Sequence, residues 1–335
     1  MLVRIILLPS VLTSLPEDRP SFYSLTIKLL QELEKTGVIL VDDKNCIKTA
    51  LSQSIREWPE KFKKPAQKLL KKLWKNHRFV EVSLTSDIQS SCRRKQCQQC
   101  IKIAKEYLPM AVLARQECNS CANKQLTEVP TVKVIDVEEY SLDDDFRSYL
   151  DERGCVLGNA EWKQDKFEQE ILIPLFRDAK NIKIYDRWSG RSILTPNADK
   201  YKLTLEWILD VFLGVSRLGS GGIFEVYSGF CTQKKPGKPP PNVIGAVAAL
   251  RQLEADIQKK HPNFRLIIKK ETQSRQMPHE RYLITNQVAV SIDRGFDLLI
   301  DSRTSPYPRR IRDVRIDYCS ESAKVEQYVQ TLPDL

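Results

Sequence analysis

The apolar positions change period twice in the first forty residues. Val3 to Leu8 is apolar but for Arg4, Ser21 to Lys35 places apolar residues at helical spacing, and Gly37 to Val41 is apolar again before Asp42 and Asp43. That pattern predicts strand, helix, strand. A further helix, Pro65 to Asn76, sets Leu69, Leu70, Leu73 and Trp74 on one face and Lys68, Lys71, Lys72 and Lys75 around the other, so its apolar stripe reads as core. Phe79 to Leu84 alternates as a strand and a cysteine-rich insert follows. Beyond it, Thr127 to Tyr140 contains another strand, and Asp143, Asp144 and Asp145 are placed to cap a helix starting near Phe146.

Glycines and polar residues between Gly154 and Asn159 mark a domain boundary. After Glu161 helices alternate with strands at Asn181 to Asp186, Gly222 to Tyr227 and Phe264 to Lys269, then come a hairpin, a strand and a helix. Gln233 to Asn242, rich in Pro and Lys, reads as an exposed loop. The predicted fold class is α/β: residues 1–155 form a basic domain with a four-cysteine zinc insertion at 92–121, and residues 160–335 form a second domain with a mostly parallel sheet. Ligand sites are expected at the carboxyl ends of its strands.

A chain of 335 residues, 41% hydrophobic and 29% charged, is globular rather than disordered. No apolar run approaches the roughly 20 residues that span a bilayer, and the opening MLVRIILLPSVL reads as a buried strand rather than a signal peptide. The nine cysteines then fit a reducing, cytoplasmic setting better than a disulfide framework. Cys97, Cys100, Cys118 and Cys121 form C-x2-C-x17-C-x2-C, a spacing that can offer four thiolates to a structural Zn²⁺, with Cys92 an alternative first ligand to Cys97. Charge is uneven: Ile55 to Gln125 holds 16 Lys and Arg against six acids, which equals the whole chain's +10. Lys68, Lys71, Lys72, Lys75, Arg93, Arg94 and Lys95 are the cations expected to meet a nucleic acid, DNA or RNA.

Pro278 to Leu299 carries His279, Glu280 and Arg281 opening a strand, then a hairpin, then Arg294, Gly295, Phe296 and Asp297. These elements, with the preceding order of helices and strands, resemble the phospholipase D-like C-terminal domain of MIT-domain proteins over residues 160–335. The resemblance implies a phosphate-type anion site. In active phospholipase D enzymes a His-x-Lys-x4-Asp motif supplies a histidine nucleophile and a cation for the equatorial oxygens. Here the positions are His279, Arg281 and Asn286, so the cation persists as a bidentate donor while the acid is lost. Arg187, Arg191, Arg281 and Arg294 are the expected phosphate ligands, and His279, Arg281 and Asp186 the catalytic set if the chain is an enzyme. Only one such triplet exists, and this chemistry needs an attacking and a protonating histidine, so activity would require a homodimer. The opening strand also resembles that of PIN-like nucleases, but the place of their metal-binding acid falls near Pro9.

Two functions follow. One is a nucleic-acid-binding protein, a metal-independent nuclease or a targeting component of a prokaryotic antiviral defence or mobile-element system, acting alone or in a larger complex. The other is an adaptor for phosphoinositide or anionic membrane surfaces, as the resemblance implies for eukaryotic relatives. The absence of a three-helix MIT pattern and the four-cysteine element favour nucleic acid.

Overall fold

The computed structural model describes the chain apart from residues 1, 85–93, 152–153, 158–162, 197, 217–220, 235, 238, 274–275, 294–295, 297, 300–310, 312 and 320–321. It divides into two compact units, Met1–Glu152 and Arg153–Leu335.

In the first unit the apolar runs become a five-stranded sheet: β1 (Val3–Leu7), β2 (Gly37–Asp42), β3 (Phe79–Val82), β4 (Ala111–Ala114) and β5 (Lys133–Asp136), in the order β3-β2-β1-β4-β5 with every pairing parallel. β2 and β4 are buried along their whole length, the continuous apolar signature of a sheet covered on both faces. The helices are α1 (Pro20–Thr36), α2 (Cys46–Ser54), α3 (Glu60–Lys75), α4 (Lys95–Tyr107), α5 (Gln116–Leu126) and α6 (Asp144–Asp151). Asp143 Oδ1 accepts from Phe146 N at 3.0 Å, and Lys133 pairs with the same carboxylate at 2.6 Å, so the acidic turn does cap α6.

The expected cysteine insert is corrected here. The seventeen residues between the two CxxC pairs contain β4, a central strand of the sheet, and the pairs lie in α4 and α5. A four-residue strand between two helices leaves too short an apolar run to stand out from the helical pattern around it.

The second unit holds β6 (Gly154–Leu157), β7 (Asn181–Tyr185), β8 (Ile223–Cys231), β9 (Phe264–Glu271), β10 (Arg281–Thr285), β11 (Ala289–Ile292) and β12 (Val314–Tyr318). Their order is β6-β12-β11-β10-β7-β8-β9. Only the pairings of β7 with β8 and of β8 with β9 are parallel; those of β10 with β7 and β11, and of β12 with β11 and β6, are antiparallel. The sheet is therefore mixed rather than mostly parallel. A link as short as that between β10 and β11 leaves no room for the crossover that parallel neighbours need. The helices are α7 (Gln164–Phe167), which continues through a π turn at Glu168–Leu172 into α8 (Ile173–Phe176), then α9 (Arg187–Arg191), α10 (Ala198–Val215), α11 (Val243–Gln258) and α12 (Ser322–Thr331). Phe176, Phe212, Phe224 and Phe264 form a chain of ring contacts through the core. Among the described residues no helix is long and apolar enough to cross a membrane.

Arg115, at the end of β4, is buried; its guanidinium donates to Thr13 O at 3.0 Å, pairs with the buried Asp18 carboxylate and lies 4.1 Å from the Phe22 ring centre. Arg115→Ala leaves Asp18 without its partner and should cost about 3 kcal/mol. A urea titration that returned the wild-type midpoint would contradict this account of the first unit.

Candidate functional site

Three groups of predicted residues can be located. The first lies at the carboxyl ends of β7, β8 and β9. Asp186 follows β7 and is completely buried; its carboxylate accepts from Trp188 N at 3.1 Å, Ser189 N at 3.2 Å and Ser189 Oγ at 2.6 Å, capping α9. Burial pushes its pKa up, and the Ser189 hydroxyl, the backbone donors and Arg281 oppose that. Arg281 Nε is 3.7 Å from Asp186 Oδ1, and its Nη1 donates to Asp293 O at 2.8 Å.

Arg191 donates twice to Glu271 Oε2, at 2.9 and 2.7 Å, and Glu271 is completely buried. Glycine makes that approach possible. A Cβ on Gly229 would stand 2.7 Å from the Glu271 carboxylate, and one on Gly190 would stand 2.7 Å from Gly229 O. The half-buried Trp188 gathers the cations: the guanidinium carbons of Arg187, Arg191 and Arg281 lie 5.0, 5.8 and 6.0 Å from its ring centre.

Asp186, Arg187, Arg191 and Arg281 are thus brought together around one indole, with Arg191 and Arg281 facing carboxylates. His279 is exposed and makes no hydrogen bond or ion pair with the described residues. Asn286 Oδ1 accepts from Lys180 N at 2.7 Å and holds the end of β10 against the start of β7. Arg294 lies outside the described residues, as do Gly295 and Asp297.

The second group is the thiols. Cys97 and Cys118 each occupy the first turn of their helix, α4 and α5, and Cys100 and Cys121 follow three residues later on the same faces. The Cys97 and Cys118 side chains are hydrogen-bonded. That bond lowers the Cys118 thiol to about 6 against the effect of burial, with help from the Ser10 hydroxyl and Arg94. Cys100 is buried, its Sγ 3.9 Å from Leu7 O. The thiols therefore collect at the carboxyl end of β1 beside β4, where successive connections leave the sheet in opposite directions. Two of the four predicted zinc ligands touch; among the described residues no three His, Cys, Asp or Glu side chains are already gathered for a metal. Cys92 lies outside the described residues.

The third group is the cationic ridge. Lys68, Lys71, Lys72 and Lys75 are all exposed on α3. Lys72 pairs with Glu34 at 3.0 Å; Lys68, Lys71 and Lys75 have no carboxylate partner among the described residues. Arg94 and Lys95 are exposed at the start of α4, and Arg93 lies outside the described residues. Two cations of the basic segment are structural instead: Arg115, described above, and the buried Arg78, whose Nη2 donates to Lys35 O at 2.9 Å.

The predicted core stripe of α3 also needs correction. Leu70 and Leu73 are buried, but Trp74 is 57% exposed, with Lys48 Nζ 3.0 Å from its ring centre. One turn of helix separates Trp74 from both Leu70 and Lys71, so it falls on the border between stripe and ridge, where spacing alone cannot assign it. Trp188 could have been found as the aromatic between Arg187 and Arg191; nothing local marks Glu271 as the partner of Arg191.

Fold and clusters together define a two-unit α/β protein with a thiol pair, a cationic helix and an arginine-ringed indole. No protein-family model, curated protein or solved structure matches the chain.

Removing Arg191 strands a buried carboxylate, so Arg191→Ala should cost about 3 kcal/mol, whereas Glu271→Gln, which still accepts from Met277 N, should cost less. Equal melting temperatures for Arg191→Ala and wild type would mean that this guanidinium does no structural work.

Proposed function

We propose that this protein binds nucleic acid through the basic face of its first unit. The observation that carries the reading is the row Lys68, Lys71 and Lys75: three exposed ammonium groups on one helix, without carboxylate partners among the described residues. Solubility needs cations interspersed with acids, and a one-sign row is instead suited to a polyanion, whose counterions it releases on binding. Arg94 and Lys95 extend the basic surface at the start of α4.

The second unit contributes a phosphate-type anion site in this reading. The resemblance of residues 160–335 to the phospholipase D-like domain supports that class of ligand, and so does the meeting of Arg187, Arg191 and Arg281 around Trp188. Arg191 is committed to Glu271 and Arg281 lies beside Asp186, so these guanidiniums are not aimed as a transition-state clamp needs, and the nucleic-acid reading rests on the first unit instead.

Zinc is proposed to clamp α4 to α5. Cys97 and Cys118 are already in contact, and the i, i+3 spacing gives Cys100 and Cys121 the same faces, so the donor set suits a thiolate-bound ion. When bound, the ion would supply folding free energy rather than chemistry.

Fluorescence anisotropy with labelled single-stranded and duplex oligonucleotides tests the main reading. Affinity should fall steeply between about 50 and about 200 mM salt. Joint replacement of Lys68, Lys71 and Lys75 by Ala should flatten the log–log slope by about 2 to 3. Tight binding to phosphoinositide vesicles with no nucleic-acid binding would replace this reading with the membrane adaptor. For the metal, elemental analysis should find one zinc per chain, and chelation or Cys118→Ser should lower the melting temperature; a metal-free protein indifferent to chelator would refute the clamp.

A further inference from the structure

Trp74 is an expensive residue to leave in water, and its surroundings are those of a binding groove. One concavity of about 270 Å³ beside it is lined by Leu51, Leu70 and Phe79 with Lys71 and Arg56, and a second of about 420 Å³ is lined by Asn45, Thr49, Gln53 and Glu81, the last facing Lys48. Trp74, Lys48, Ser52 and Arg56 belong to both, so the indole stands at their junction. Lys48 is buried, linked to Asn45 Oδ1 at 3.3 Å and Glu81 at 3.9 Å, and fixed over the indole. A cation held on an aromatic face fixes the ring's position, and more than half of the Trp74 surface remains exposed.

We propose that Trp74 is a stacking platform for an unpaired base, with Arg56 and Lys71 holding the adjoining phosphates, so that the first unit selects single strands. The inference rests on the nucleic-acid reading above and narrows it. An aromatic face can stack only on a base freed from its partner, since a duplex presents base edges in its grooves and hides base faces. The amide and hydroxyl groups of Asn45, Thr49 and Gln53 suit base edges. A lipid bilayer is the poorer occupant: membrane-seeking tryptophans lie on protruding apolar surfaces, whereas this one adjoins a concavity with polar walls.

The test uses the full chain with a labelled single strand, a duplex of equal length and an abasic strand, at two salt concentrations. Trp74→Ala should weaken single-strand binding about 10-fold, leave duplex and abasic binding unchanged, and keep the salt slope; Trp74→Phe should recover part of the loss. Because Leu70 and Leu73 supply the buried packing of α3, the melting temperature of Trp74→Ala should fall only by the loss of the Lys48 contact, and Trp74→Phe, which keeps a ring under that ammonium, should restore it. Equal losses on single strand and duplex, no loss at all, or loss of binding to anionic vesicles instead would overturn the stacking platform while leaving the cationic ridge to be judged by the lysine variants. Failure of the unmodified protein to bind any nucleic acid would overturn both.

Discussion

β1 pairs in parallel with β2 on one side and β4 on the other, so the chain must cover one half of the sheet before crossing to the second. That constraint organises the first unit. It brings the amino-terminal turns of α4 and α5, far apart in sequence, to one edge of the sheet beside Ser10. There the Cys97 side chain, the Ser10 hydroxyl and Arg94 favour a negatively charged sulfur on Cys118. The same edge carries the start of α2, where the Asp42 carboxylate accepts from Cys46 N at 2.8 Å and Ile47 N at 2.7 Å. α2 in turn supplies Lys48 to Trp74. The thiols and the groove are consequences of one sheet topology.

The two units use cations differently. In the second, Arg191 faces Glu271, Arg281 faces Asp186, and both carboxylates are completely buried, so much of the positive charge is neutralised within the fold. Such pairs hold elements in register, and breaking one costs more than forming it contributes. In the first unit Lys68, Lys71 and Lys75 face water, where each ammonium costs little to solvate and is available to a polyanion. Counting charges along the chain cannot separate these cases. Arg78 and Arg115 fall in the same basic segment as the ridge and serve the interior.

Element type was largely legible before the fold was known. The period of apolar residues marked β1, α1, β2, α3, β7, β8, β9, α10 and α11 because each is long enough for its period to emerge, and Asp143 could be read as the cap of α6 from local chemistry. β4 was hidden by its four-residue length between helices, and the antiparallel half of the second sheet by the fact that pairing direction is a relation between strands rather than a property of one.

The sequence by itself determined which residues could carry chemistry: the two CxxC pairs, the lysine row and the arginines near Asp186. Only the tertiary structure decided what each one faces. It put Cys118 against Cys97, gave Arg191 a carboxylate eighty positions away, and turned Trp74 out beside Lys48. The physical reason is that burial and partnership are set by which elements pack together over long stretches of chain, while periodicity reports only the half of each element that must leave water.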